Sequence, residues 1–163
     1  MIRRVYERRV RLALSRPPTV LQVEAANSYA YIATITNHLY ITEQTSNILK
    51  RRTPIFAAPI LADTHPLKKA RYLRRWARRL TEFGFSSEDA IVLAYGSFGL
   101  EVESQTVGVD AIITTDMRLA DRYNQRNPEI NNRFNDMITN LPEAYRQLRL
   151  PQVVTTATVL TFV

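Results

Sequence analysis

The sequence predicts an α/β fold, with a mostly parallel sheet flanked by helices, and three observations predict it. Residues 109–113 (VDAII) form a nearly continuous apolar run, the mark of a strand covered on both faces. The chain then turns polar at Thr114, Thr115 and Asp116, as it does where a strand reaches the functional edge of an open α/β sheet. Helical patterns flank that strand, one before it from Ser86 and one after it from Met117.

Taken in order, residues 1–16 are arginine-rich with Val5, Val10, Leu12 and Leu14 interspersed, and read as a peripheral basic helix. A mitochondrial presequence shares the arginines, but Glu7 and the scarcity of serine argue against one. Pro17-Pro18 ends this segment, so residues 1–18 form a basic N-terminal segment and 19–163 a single domain. Thr19 to Val23 resembles a first strand running into Glu24 and a helical stretch through Ala33. Leu39 to Thr42 is a short extended piece, and Thr42 can cap a helix from Glu43 through Leu49, closed by Lys50, Arg51 and Arg52.

A proline-punctuated connector (Pro54, Pro59, Pro66) follows. From Leu67 to Phe83 the apolar residues Leu67, Ala70, Leu73, Ala77 and Leu80 recur on one side of a helix that Gly84 stops. Ser86 and Asp89 have capping-box spacing at the next helix. After Asp116 a helix runs from Met117 to Asn124 and is broken at Asn127-Pro128. Phe134, Met137 and Ile138 suggest another, and Pro142 begins a last one through Leu148. Residues 153–155 and 159–163 are β-rich, and the first of these adds a final strand.

Composition narrows the chemistry. The 163 residues suit one domain with a real core, and no apolar run approaches the length of a membrane span, so no membrane partner is expected. With no cysteine, disulfides, thiolate metal sites and cysteine nucleophiles are excluded, which is compatible with a cytoplasmic location. His38 and His65 are too isolated for a histidine-built zinc site, and only four glycines occur, with no phosphate-cradling loop. Any metal site must be made of oxygen ligands.

Net charge is +7, unevenly spread. Residues 1–80 hold 16 Lys/Arg against 4 Asp/Glu, whereas residues 81–163 hold 6 against 11. A basic half suits a polyanion and an acidic half a cation, and their complementarity also permits a homodimer. Lys68, Arg71, Arg75, Arg78 and Arg79 fall largely on one side of the helix ending at Phe83, and with Arg51 and Arg52 they are the candidate phosphate-binding set. Asp89 and Asp116, separated by a helix–strand unit, can converge at one end of a sheet and hold a divalent metal. Each also has a structural role open to it, Asp89 in a first helical turn and Asp116 as an N-cap.

The stretches GFSSEDAIVLAYGSFG and VDAIITTDMRLA, preceded by VLQVEAANSYAYI and YITEQTSNILKRR and followed by LRLPQVVTTATVL, together resemble the PIN-domain nucleases. The match runs from about Thr19 to the C-terminus. It implies a three-layer sandwich with a central, mostly parallel sheet of four to five strands. It also implies hydrolysis of phosphodiester bonds in single-stranded RNA with magnesium or manganese, metals that prefer carboxylate and water oxygens. Asp116 is then a direct ligand with Asp89 beside it, and Thr115 orients a ligand or water. The first motif offers Glu24, or else aligns Ala25-Ala26-Asn27 with the usual turn. The second offers Glu43 or Asn47. One form of such a nuclease is the toxin of a toxin–antitoxin pair, with an antitoxin-like protein partner. The alternatives are a PIN-like module that binds RNA or a protein partner through its basic half without catalysis, and an assembly protein that meets no nucleic acid.

Overall fold

A computed structural model describes residues 20–35, 38–52, 62, 64–102 and 104–160. Expectations for residues 1–18, for most of the proline-rich connector and for residues 161–163 lie outside the described residues. Helices alternate with short strands in a mixed α/β fold: α1 (Val20–Ile35), β1 (Leu39–Thr42), α2 (Glu43–Arg52), β2 (Thr64–Leu67), α3 (Leu73–Thr81), α4 (Ser87–Phe98), β3 (Leu100–Val102), β4 (Gln105–Val107), β5 (Ala111–Thr114), α5 (Met117–Gln125), α6 (Asn127–Ile138), a 3-10 turn (Glu143–Tyr145), β6 (Gln152–Thr155) and α7 (Thr156–Leu160). The described strands pair two by two. β1 lies parallel to β2 with Leu39 opposite Thr64, β3 is antiparallel to β4, and β5 pairs with β6.

Several local expectations are corrected. Residues 20–23 open a helix rather than a strand. Ala25, Ala26, Ala30 and Ala33 make the stretch a strong helix former, and Val20 and Val23 are exposed at 82% and 39%, so no sheet buries them. Leu67 ends β2 opposite Thr42 instead of starting a helix, and α3 begins six residues later at Leu73. Pro66, which has no N–H to donate, is tolerated in a two-stranded pair. β5 is not covered on both faces: Ala111 is exposed and Ile112 and Thr114 are buried, the alternation of a one-sided strand. The helix expected from Pro142 to Leu148 is reduced to one 3-10 turn. Val159 lies on α7, which Thr155 starts by accepting the Thr158 N–H at 3.1 Å.

Two compact units divide the described chain. One takes residues up to Leu67 with Ile113–Thr115 and the chain from Val154; the other takes Lys68–Ile112 and Asp116–Val153. In the first, α2 joins and packs on the parallel pair β1–β2, and α1 packs on α7. Ser28 there donates a buried hydrogen bond to the Thr156 carbonyl at 3.0 Å.

In the second unit α3 packs on α4, and their core is aromatic. Trp76 meets Phe134 with centroids 4.9 Å apart, and Phe98 meets the same Phe134 at 6.0 Å, both edge to face. Tyr123 is buried and donates to the Pro151 carbonyl at 3.0 Å, and burial holds its phenol above the ordinary range. After α3 the chain turns through Gly84 at φ +81°, a backbone shape that side chains resist, so the expected stop at this glycine is observed.

Two other glycines permit close packing in this unit. The Val109 N–H donates to the Gly96 carbonyl at 2.7 Å. A Cβ on Gly108 would fall 2.4 Å from the Arg149 carbonyl oxygen, and one on Gly96 would fall 2.5 Å from Ile112 Cδ1 and 2.8 Å from Pro151 Cγ. Both alanine substitutions are expected to destabilise, within the roughly 1–3 kcal/mol range of overpacked sites. Gly108→Ala is expected to cost more, because it meets backbone whereas Gly96→Ala meets side chains. Urea unfolding of the two variants measures the order.

Candidate functional site

The basic surface is a consequence of how α3 is buried. Leu73, Trp76, Ala77 and Leu80 recur at helical spacing and are all buried, with Trp76 and Leu80 fully enclosed. The intervening Arg74, Arg75 and Arg78 are therefore exposed, and Arg79 is half-buried. None of the first three has a carboxylate partner among the described residues. No acid stands in the first turn of α3, and the N-cap Tyr72 makes no side-chain capping bond, so the positive end of the helix dipole adds to the field of the arginines.

Neighbouring charges sharpen the picture. Arg79 holds its proton less tightly than an ordinary arginine, first because of partial burial and then because Arg133 and Arg75 stand near it. Arg133, from α6, pairs with Glu82 at 3.2 Å. Lys68 lies 3.9 Å from Glu101 with both side chains exposed, a pair worth little. The Arg71 guanidinium sits over the Tyr72 ring, 5.5 Å from its centroid. Arg51 is exposed on the first unit, and the side chain of Arg52 lies outside the described residues.

Sequence reasoning missed two members of this face. Arg74 was detectable, standing four positions before Arg78. Arg133 was not, because only the packing of Trp76 on Phe134 brings α6 to α3.

The acidic candidates have local structural roles. Ser86 caps α4 by accepting the Asp89 N–H at 3.1 Å, and its hydroxyl donates to Asp89 Oδ2 at 2.8 Å. This is the expected capping box in modified form: aspartate, shorter than glutamate, takes the serine hydroxyl as its donor. Asp116 immediately follows the bend after β5 and caps α5, accepting the Leu119 N–H at 3.2 Å. Both belong to the second unit. Thr115, half-buried, belongs to the first unit, together with Glu24 and Glu43. Glu24 lies within α1 rather than after a strand, and accepts a hydrogen bond from the Thr156 hydroxyl. Glu43 is exposed in the first turn of α2, where it complements the helix dipole, and Asn47 is exposed further along the same helix.

Magnesium keeps several of its waters and is bound through one or two carboxylates together with substrate phosphates. Among the described residues no group of three or more His, Cys, Asp or Glu could hold a metal ion. Asp89 and Asp116 belong to one unit and Glu24 and Glu43 to the other, and each of the four stands at or within a helix. Comparison with known protein families, with curated proteins and with solved structures finds no match to this chain. Among the described residues no helix is long and apolar enough to cross a membrane.

The two roles open to Asp116 separate by substitution. Asp116→Ala is expected to cost about 1 kcal/mol of stability through loss of the cap, whereas Asp116→Asn keeps most of it, because asparagine caps nearly as well as aspartate. Thermal or denaturant unfolding of the two variants checks this, and qualifies Asp116→Asn as a probe of chemistry on an intact fold.

Proposed function

We propose that this protein binds RNA, through the arginine face of α3. One observation carries the reading: Arg74, Arg75 and Arg78 stand exposed on a single helix with no carboxylate partner among the described residues. Like charges held together in this way repel each other, and a polyanion removes the repulsion by replacing its own condensed counterions with guanidinium groups. Arginine suits the task because its planar fork matches two phosphate oxygens at once. A cytoplasmic location belongs to the same proposal. An acidic protein partner, of antitoxin type or a second copy of this chain, is the competing occupant of the face.

Fluorescence anisotropy with labelled RNA at increasing salt tests the proposal. If about five phosphates are engaged, the logarithmic slope against salt is about −3.5, and affinity falls roughly a hundredfold between 50 and 200 mM. Replacing Arg75 and Arg78 together by glutamine is expected to flatten that slope by about 1.4. RNA binding that is absent at low salt, or indifferent to salt, rejects the proposal in favour of a protein partner.

A second reading is the metal-dependent endoribonuclease of PIN type, with its three-layer sandwich around a mostly parallel sheet of four to five strands. It is favoured by the placement of Thr115 and Asp116 at the turn between β5 and α5. The measurement that decides it is RNA cleavage with manganese or magnesium added, on the wild type and on Asp116→Asn. Metal-dependent cleavage lost in the variant supports this reading. Cleavage that survives in the variant, or is absent in both, rejects it.

A further inference from the structure

Two half-buried tyrosines meet at the start of the helix that carries the arginines. Tyr72 immediately precedes α3, and Tyr145 comes from the 3-10 turn. Their rings meet almost at right angles, 81°, with centroids 4.9 Å apart, and Tyr145 leans on buried Phe98 at 6.4 Å. An edge-to-face pair consumes one ring edge and one ring face, so most of its aromatic surface is not used by the pair itself. Arg71 rests over Tyr72, but an exposed cation–π contact is worth only about 0.5–1 kcal/mol, so a better stacking partner displaces it readily.

We infer that Tyr72 and Tyr145 form a stacking platform for unpaired nucleobases, so that the ligand of the arginine face is a single strand rather than a duplex. This rests on the phosphate-binding reading above and gives that face its selectivity. The chemistry is that of single-strand binding in general, in which a positive groove tracks the backbone while aromatic rings take the bases, regardless of sequence. Bases in a duplex are stacked on each other and cannot use the platform. The anchoring is favourable too, because Phe98, fully enclosed, backs the ring of Tyr145 and limits the entropy lost on binding.

The test uses the full chain and three labelled RNA probes of equal length: an unstructured single strand, a perfect duplex, and a single strand with abasic sites in place of bases. The wild type is expected to bind the base-bearing strand about tenfold or more tightly than the abasic one, and more tightly than the duplex. Tyr72→Leu and Tyr145→Leu should each reduce that difference without changing the affinity for the abasic strand or the salt slope, and Tyr72→Phe should retain it. Equal wild-type affinity for the base-bearing and abasic strands, or a preference for the duplex, overturns the platform and leaves phosphate binding standing. Failure to bind any probe overturns both.

Discussion

The burial of Trp76 is the constraint on which the basic surface depends. Its ring is wholly enclosed against Phe134, and truncating such a side chain costs about 3–5 kcal/mol. With Leu73, Ala77 and Leu80 on the same stripe, α3 has one rotational setting that keeps its apolar face inside. Repulsion among Arg74, Arg75, Arg78 and Arg79 is a smaller, solvent-screened opposing effect. It can neither rotate the helix nor remove it from α4. The arginines face outward because the tryptophan faces in.

That placement, and not the net charge, creates the patch. The unit containing α3 spans residues 68–112 and 116–153, which hold 13 Lys/Arg and 11 Asp/Glu, nearly in balance. The contrast between a basic first half and an acidic second half is therefore not a division between the two units. Glu82 and Glu101 meet Arg133 and Lys68, at the margins, while Arg74, Arg75 and Arg78 in the middle have no such partner among the described residues. An even surface mixture would serve solubility equally well and would avoid setting Arg75 and Arg133 near Arg79.

Much of the second unit could be read from sequence because its signals are local. The stripe of Leu73, Ala77 and Leu80, the stop at Gly84, the Ser86–Asp89 cap and the break at Asn127-Pro128 each involve residues within two helical turns of one another. What escaped depends on distant partners. Residues 20–23 have strand composition, but nothing in the sequence says that Val20 stays exposed, and the alanines that follow draw it into α1. The run before Thr114 looks buried on both sides, yet strand pairing among the described residues leaves Ala111 in solvent. For the site, the arginines were legible as a face, while Arg133 and the pairing of Tyr72 with Tyr145 arise only from packing across more than fifty residues.

The acids illustrate a deeper ambiguity. An aspartate at the end of a strand and the start of a helix is favoured by the free N–H groups there, whatever else it does. The same geometry that exposes a carboxylate at the edge of a fold also gives it a helix to cap, so the pattern of a metal-binding acid and that of a structural one coincide in sequence. Asp89 and Asp116 each hold a helix N-terminus, and Glu24 ties α1 to the start of α7. Each of these roles is one that folding itself asks of an acid at that place. Among the arginines of α3, Arg78 and Arg79 stand in the last turn, where a cation complements the helix dipole, whereas Arg74 and Arg75 have no such role and an apolar stripe fixes the helix without them. Arg74 and Arg75 are thus positioned by the apolar stripe of α3 without contributing to it.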